Sequence, residues 1–281
     1  MENVLLILDG TKPDKPTLEF ACYIAGITRS KIQALFGGKI KEHELPVRKE
    51  LFAFPYVETI VAGDIPENQR ILNSIHENSE WFGKACAYRD VNYSIRSRYK
   101  ISVAEIIRES RFADMLIINP EMSLSGGNEG NPTRFVKEIL AGAECPVLLP
   151  PYSFDGISEI AFAYDGGEAS VFAIKQFIHL FPELCNKPVS LVRIGENDEQ
   201  SVKENEKTMQ LLNAHYSGVK FVHLTGNPEN ELFNYLLGKK EVFVVMGAFG
   251  RNPVSNLFRR STAELSLKTI NLPFFITHNT R

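Results

Sequence analysis

Two apolar runs far apart in the chain end on the same pair of residues. Val4 to Leu8 is closed by Asp9-Gly10, and Ile160 to Tyr164 by Asp165-Gly166. A helix-like segment follows each, PTLEFACYIAGIT after the first and ASVFAIKQFIHLF after the second. In the second, Val171, Ile174, Phe177, Ile178 and Phe181 fall at helical spacing on one face. Further on, ADMLIIN (113–119) matches EVFVVMG (241–247), each a near-continuous apolar run of the kind buried on both faces of a sheet. Each leads through a loop and a helix to a short strand introduced by proline. Asn119 and Pro146 are 27 positions apart, Gly247 and Pro273 are 26. Matching landmarks at nearly equal spacing mark a duplication, which restricts the chain to one architecture used twice.

Strands alternate with helices in both halves, which calls for parallel sheets with right-handed crossovers. Strands are expected near 3–8, 31–36, 91–96, 114–119 and 146–149, then near 158–164, 188–194, 219–224, 241–246 and 273–277. Helices are expected near 15–28, 65–87, 101–111 and 132–142, then near 169–181, 199–216, 228–238 and 256–268. The fold class is therefore α/β, with two Rossmann-like domains, 1–150 and 156–281, each a five-stranded parallel sheet flanked by helices. The connecting PPYSFDG reads as a short stiff link that holds the domains close. The first half carries about thirty extra residues, placed near 37–64, since loops absorb added length best. That insertion contains Phe52, Phe54 and Tyr56 and reads as a loop packed on its own domain, with a lid or a dimer element as the alternatives.

A length of 281 residues suits two ordinary domains, and 44% hydrophobic with 23% charged residues is a globular composition. A net charge of -3 argues against a general nucleic-acid binder. Cys22, Cys86, Cys145 and Cys185 form no CxxC pair, Cys22 and Cys145 read as core residues, and a reducing cytoplasm is the expected compartment. The opening MENVLLILDG has no basic start and is not read as a signal peptide, and no run is long enough to span a membrane.

Ligands of open parallel sheets sit beyond the carboxyl ends of strands, where strand order reverses. Asp9 and Asp165 end the first strand of each half, and Gly247 ends the fourth strand of the second. If those strands are neighbours, Asp165 and Gly247 face one crevice. An acid there can accept from a ribose hydroxyl or an adenine amine. Glycines and a helix N-terminus admit phosphate. An Asp-Gly pair is equally a common turn, so Asp165 stands between ligand contact and turn chemistry, whereas Asp9 reads as a turn.

At the stretch from Gly247 to Thr262 the chain resembles the universal stress proteins, here as a tandem of two copies. Their nucleotide-binding type carries G-x2-G-x9-G-[ST] after the fourth strand. Gly247 and Gly250 match the first two positions, nine residues follow, Arg260 replaces the third glycine, and Ser261 matches the hydroxyl position. YDGGEASVFAIKQF also resembles the family's first strand end and first helix. The resemblance implies domains of the adenine nucleotide alpha hydrolase-like kind. It implies ATP or a related adenine nucleotide in the second half, with Mg2+ as a companion, acting as a regulator rather than a substrate. Asp165 then contacts adenine or ribose, Val192 the base, and Gly247, Gly250, Ser261 and Thr262 the phosphates. Arg260 either obstructs that site or supplies a phosphate partner.

In the first half Asn119 and Met122 stand where Gly247 and Gly250 do, and Thr133 and Arg134 take the places of Arg260 and Ser261. That half is not expected to bind nucleotide tightly, and Asn131 is expected to cap a helix with Pro132 in its first turn. The family often pairs domains across their last strands, which a tandem chain can do internally, leaving monomer and homodimer both open. The alternatives are a tandem scaffold that acts through protein contacts and a slow ATPase. For the latter there is no P-loop, and His179, His215, His223 and His278 form no nucleophile–base set.

Overall fold

The computed structural model describes residues 1–38, 46–51, 54–59, 66–98, 101–123, 130–195, 199–247 and 270–277. The first half runs β1 (Asn3–Asp9), α1 (Lys15–Thr28), β2 (Lys31–Gly37), β3 (Pro46–Leu51), β4 (Phe54–Thr59), α2 (Pro66–Tyr88), β5 (Tyr93–Arg98), α3 (Val103–Ser110), β6 (Met115–Ile118), α4 (Arg134–Gly142) and β7 (Val147–Leu149). The second runs β8 (Glu159–Tyr164), α5 (Glu168–Leu180), β9 (Val189–Ile194), α6 (Glu199–Asn213), β10 (Val219–Leu224), α7 (Pro228–Leu236), β11 (Val242–Gly247) and β12 (Phe274–Thr277). The helix expected near 256–268 lies outside the described residues.

The strands form one ten-stranded sheet in the order β10-β9-β8-β11-β12-β7-β6-β1-β2-β5. In this sheet every pairing within a half is parallel. At the centre β12 meets β7 antiparallel, Phe275 opposite Leu148, so the two sheets expected from sequence are one continuous sheet. The reason is chemical: β7 and β12 are each the last strand of a half, short and fully buried, and each satisfies the other's open edge. The outer strands β5 and β10 instead have no fully buried residue. On β5 the Arg96 guanidinium donates to both carboxylate oxygens of Glu109 at 3.1 and 2.6 Å, placing charge where a further strand would dock.

Apolar side chains alternate onto two packed faces. One core contains Phe20, Phe162, Phe177, Phe243 and Phe275, and the other Ile7, Ile118, Val192, Val244 and Ile276. Both cores draw on both halves. Phe20 of α1 meets Phe243 of β11 edge to face at 6.3 Å. The connecting segment is held at both levels. Phe154 packs edge-on to Phe20 and Tyr23, at 5.1 and 4.7 Å. Asn271 Oδ1 accepts from the amides of Tyr152 and Ser153, at 2.7 and 3.1 Å. The stiffness expected of the link thus comes from these clamps as well as from its prolines.

Four sequence expectations are corrected. The buried stripe of α5 is Ser170, Ala173, Ile174, Phe177 and Leu180, so Val171 and Ile178 lie at its margin. The helix near 132–142 is capped by Thr133 and not Asn131: the Thr133 hydroxyl accepts from Val136 N at 3.2 Å and donates to the Met122 carbonyl at 2.5 Å. Asn131 instead donates to the Tyr152 hydroxyl at 2.5 Å, and Pro132 precedes the cap. Within the insertion β3 and β4 pair antiparallel as a separate two-stranded sheet rather than a loop; Phe52 lies outside the described residues. Finally, Cys86 joins Cys22 in the core, Sγ to Sγ 4.0 Å, whereas Cys145 is only half-buried. Contact with Cys22 and burial push the Cys86 thiol well above its usual range.

Candidate functional site

In the second half the chain passes from β8 outward to β9 and β10, then returns to the other side of β8 to form β11 and β12. Strand order therefore reverses between β8 and β11, and the crevice lies beyond their carboxyl ends. The register sets Ala163 against Met246, so Asp165 and Gly247 stand at the same end of adjacent strands, as their sharing a crevice requires.

Asp165 is exposed at this end, and its Oδ1 accepts from Gly167 N at 2.8 Å. The turn role is thus filled by one carboxylate oxygen while the group still faces solvent. Gly166 provides the left-handed residue of that turn, with φ +86°. The helix α5 that follows begins at Gly167, which has no side chain to cap it. The amides of a helix's first turn have no partner within the helix itself, and here no N-cap side chain takes them.

Gly247 has a packing duty that sequence reading did not assign. A Cβ there would lie 2.4 Å from both the carbonyl carbon and oxygen of Ala169, and 2.7 Å from Ser170 N. Only glycine lets the first turn of α5 sit directly on the end of β11. This brings an uncapped helix N-terminus to the edge of the crevice. Val192, by contrast, is fully buried two residues before the end of β9, in the same core as Leu232 and Leu236 of α7. It sits below the crevice and presents no surface at its mouth. Gly250, Arg260, Ser261 and Thr262 lie outside the described residues.

The first half builds the same place differently. Asp14 caps α1, its Oδ1 accepting from Thr17 N at 3.1 Å. Its Oδ2 accepts from Asn119 Nδ2 at 2.7 Å, and Asn119 Oδ1 accepts from Glu121 N at 2.8 Å. Where the second half has a bare glycine beside an uncapped helix, the first has an amide side chain tied to a capping acid. Asp9 is absorbed in its turn, with Oδ1 accepting from Thr11 N at 2.9 Å and Thr11 Oγ1 at 2.6 Å. Sequence reading passed over Asp14 and could have found it, since an acid followed by Lys-Pro at a helix start is a capping signal. Asp14→Ala is expected to lower stability by about 1–2 kcal/mol, the cost of a lost cap that also held Asn119. A urea midpoint unchanged from the parent protein would show that this network contributes nothing.

His223 is engaged through Nε2 with the Gly195 carbonyl at 2.8 Å. Among the described residues no group of three or more His, Cys, Asp or Glu is placed to hold a metal ion, and no helix is long and apolar enough to cross a membrane.

The fold is that of two Rossmann-like halves joined edge to edge, with Asp165 and Gly247 at the switch point of the second and the Asp14–Asn119 pair at the equivalent place in the first. No family model matches the chain. A universal stress protein of Synechocystis is 24% identical over 162 residues, which is 57% of this chain and 56% of the relative. The match thus spans just over half the length of that curated relative. Among solved structures, a universal stress protein from Archaeoglobus fulgidus superposes with a TM-score of 0.68 at 13% identity, covering 98% of each chain. A putative universal stress protein from Pseudomonas aeruginosa gives 0.61 at 16% identity, covering 99% of this chain and 93% of that one. The chain thus shares the fold of these two-copy universal stress protein structures along both of its halves.

Proposed function

We propose that the second half binds ATP or a related adenine nucleotide and that the protein works as a nucleotide-responsive regulator, not as an enzyme. The observation that carries this reading is the meeting of Asp165, Gly247 and the uncapped start of α5 at the reversal of strand order. An exposed carboxylate there suits the ribose hydroxyls or the adenine amine, and the positive end of a helix suits phosphate. In this reading Val192 forms the floor beneath the base. Gly250, Ser261 and Thr262 approach the phosphates, Arg260 adds a charged partner, and Mg2+ accompanies the phosphates. The first half, with Asn119 and Asp14 joined across the equivalent place, takes no nucleotide and serves as the fixed partner of the joint sheet.

Calorimetric titration of nucleotide-stripped protein with ATP and Mg2+, alongside Gly250→Trp, tests the proposal. The expected outcome is saturable binding with Kd on the order of micromolar and at least a tenfold loss in the variant, about 1.4 kcal/mol. Absence of both heat and a melting shift in the parent protein would favour a scaffold that works through protein contacts.

A further inference from the structure

Arg193 is a buried cation with two of its three guanidinium nitrogens unpartnered. It is the next-to-last residue of β9, opposite Tyr164 of β8. It is only 7% exposed, and its Nε and Nη1 have no hydrogen-bond partner. The guanidinium lies over the Tyr164 ring, 5.5 Å from its centroid. A ring face offsets part of the loss of hydration but replaces none of the lost hydrogen bonds. A guanidinium withdrawn from water in this way calls for an acceptor, and an oxyanion is its best match.

The space for one is present. A groove of about 680 Å³ runs between α5 and α6, with Tyr164 and Gly166 in its wall. A Cβ on Gly166 would come within 2.7 Å of Arg193 Nη1 and 3.3 Å of Glu204 Oε2. The guanidinium therefore lies just behind the groove wall at Gly166, with no side chain between. Lys175 and Lys207 also line it and are exposed, while Glu168 and Glu204 are the acids beside them. With Arg193 included, cations outnumber acids at this place.

We propose that the groove between α5 and α6 is a binding site for a phosphate-class oxyanion, with Arg193 as its buried anchor and Lys175 and Lys207 as its outer charges. The site lies on the β9 side of β8, whereas the nucleotide crevice lies on the β11 side, so it does not depend on the nucleotide reading. The anion is a free phosphate taken from solution, independent of any nucleotide in that crevice. Glu204 opposes the anion and sets the affinity from the other direction.

The test follows the side-chain Nε–H resonance of Arg193 by NMR while the full-length protein is titrated with inorganic phosphate. The expected result is a saturable shift in the parent, strengthened several-fold in Glu204→Gln; in parallel calorimetric titrations phosphate binding is expected to be lost in Arg193→Met and weakened at least tenfold in Arg193→Lys. Arg193→Met is also expected to melt higher than the parent in phosphate-free buffer, since it removes an unpaired buried charge, and to gain nothing when phosphate is added. A resonance that phosphate leaves unmoved, with a parent melting temperature independent of phosphate, would overturn the site. A shift produced by ATP but not by phosphate, and lost in Gly250→Trp, would also overturn it as a separate site and assign Arg193 to the nucleotide crevice. If Arg193→Met does not fold, the Lys and Gln variants still decide: phosphate affinity equal to the parent's in both would overturn the proposal.

Discussion

Gly247→Val is expected to destabilise the protein by about 3 kcal/mol or more, the upper end of what overfilling a packed interior costs. The added atoms have nowhere to go. The first of them would lie 2.4 Å from the Ala169 carbonyl, which is helix backbone and not the yielding tip of a side chain. Relief requires α5 to lift from β11, and α5 carries Phe177, the centre of the aromatic core. Gly26 is the matched control. It lies within α1, is exposed, and a Cβ there would meet nothing within 4 Å. Gly26→Ala is expected to stabilise by about 0.5–1 kcal/mol, because it only restricts the unfolded chain and favours the helix. Urea denaturation of both variants reads the contrast. A Gly247→Val midpoint equal to the parent's would mean that α5 is not seated on β11, and the crevice described above would lose its helix.

The second large effect is expected at Phe177. Its ring meets those of Phe162, Phe181, Phe243 and Phe275, with centroids 4.8 to 5.6 Å away, and is fully buried. Phe177→Ala is expected to cost about 3–5 kcal/mol through lost burial and the cavity left behind. The variant also tests whether the halves fold as one. Trp81, the single tryptophan, lies on α2 of the first half and packs against the core that contains Phe177. With β7 and β12 paired, Phe177→Ala is expected to shift the Trp81 fluorescence transition and the far-UV circular dichroism transition together. A Trp81 transition that stays in place while circular dichroism shows an earlier partial loss would mean that the halves unfold independently.

The elements were legible in the sequence because the strands are buried on both faces and so read as unbroken apolar runs, while the helices kept their period. The duplication reinforced each assignment with a second copy. What local pattern could not show was the antiparallel meeting of Leu148 with Phe275, since strand pairing between halves depends on which edges are left open. The crevice was partly legible: Asp165 and Gly247 stand together as the reversal of strand order requires. The reason for Gly247 was not, because a close approach of helix backbone leaves no mark in the sequence beyond the glycine itself. Asn131 misled for a local reason: both it and Thr133 can cap a helix, and only the position of the first turn decides between them. Arg193 carried a signal that went unread. A charged residue inside the apolar run VSLVRI falls on the face opposite Val192, and its inward position made it the more informative of the two.

The most direct test of the central claim, that the second half alone offers a nucleotide crevice at its switch point, is backbone hydrogen exchange with and without ATP and Mg2+. The account predicts slowed exchange at residues 165–170 and 246–247, with residues 9–17 and 118–122 unchanged. Slowed exchange at Asn119 and the start of α1, or protection spread equally over both halves, would contradict it.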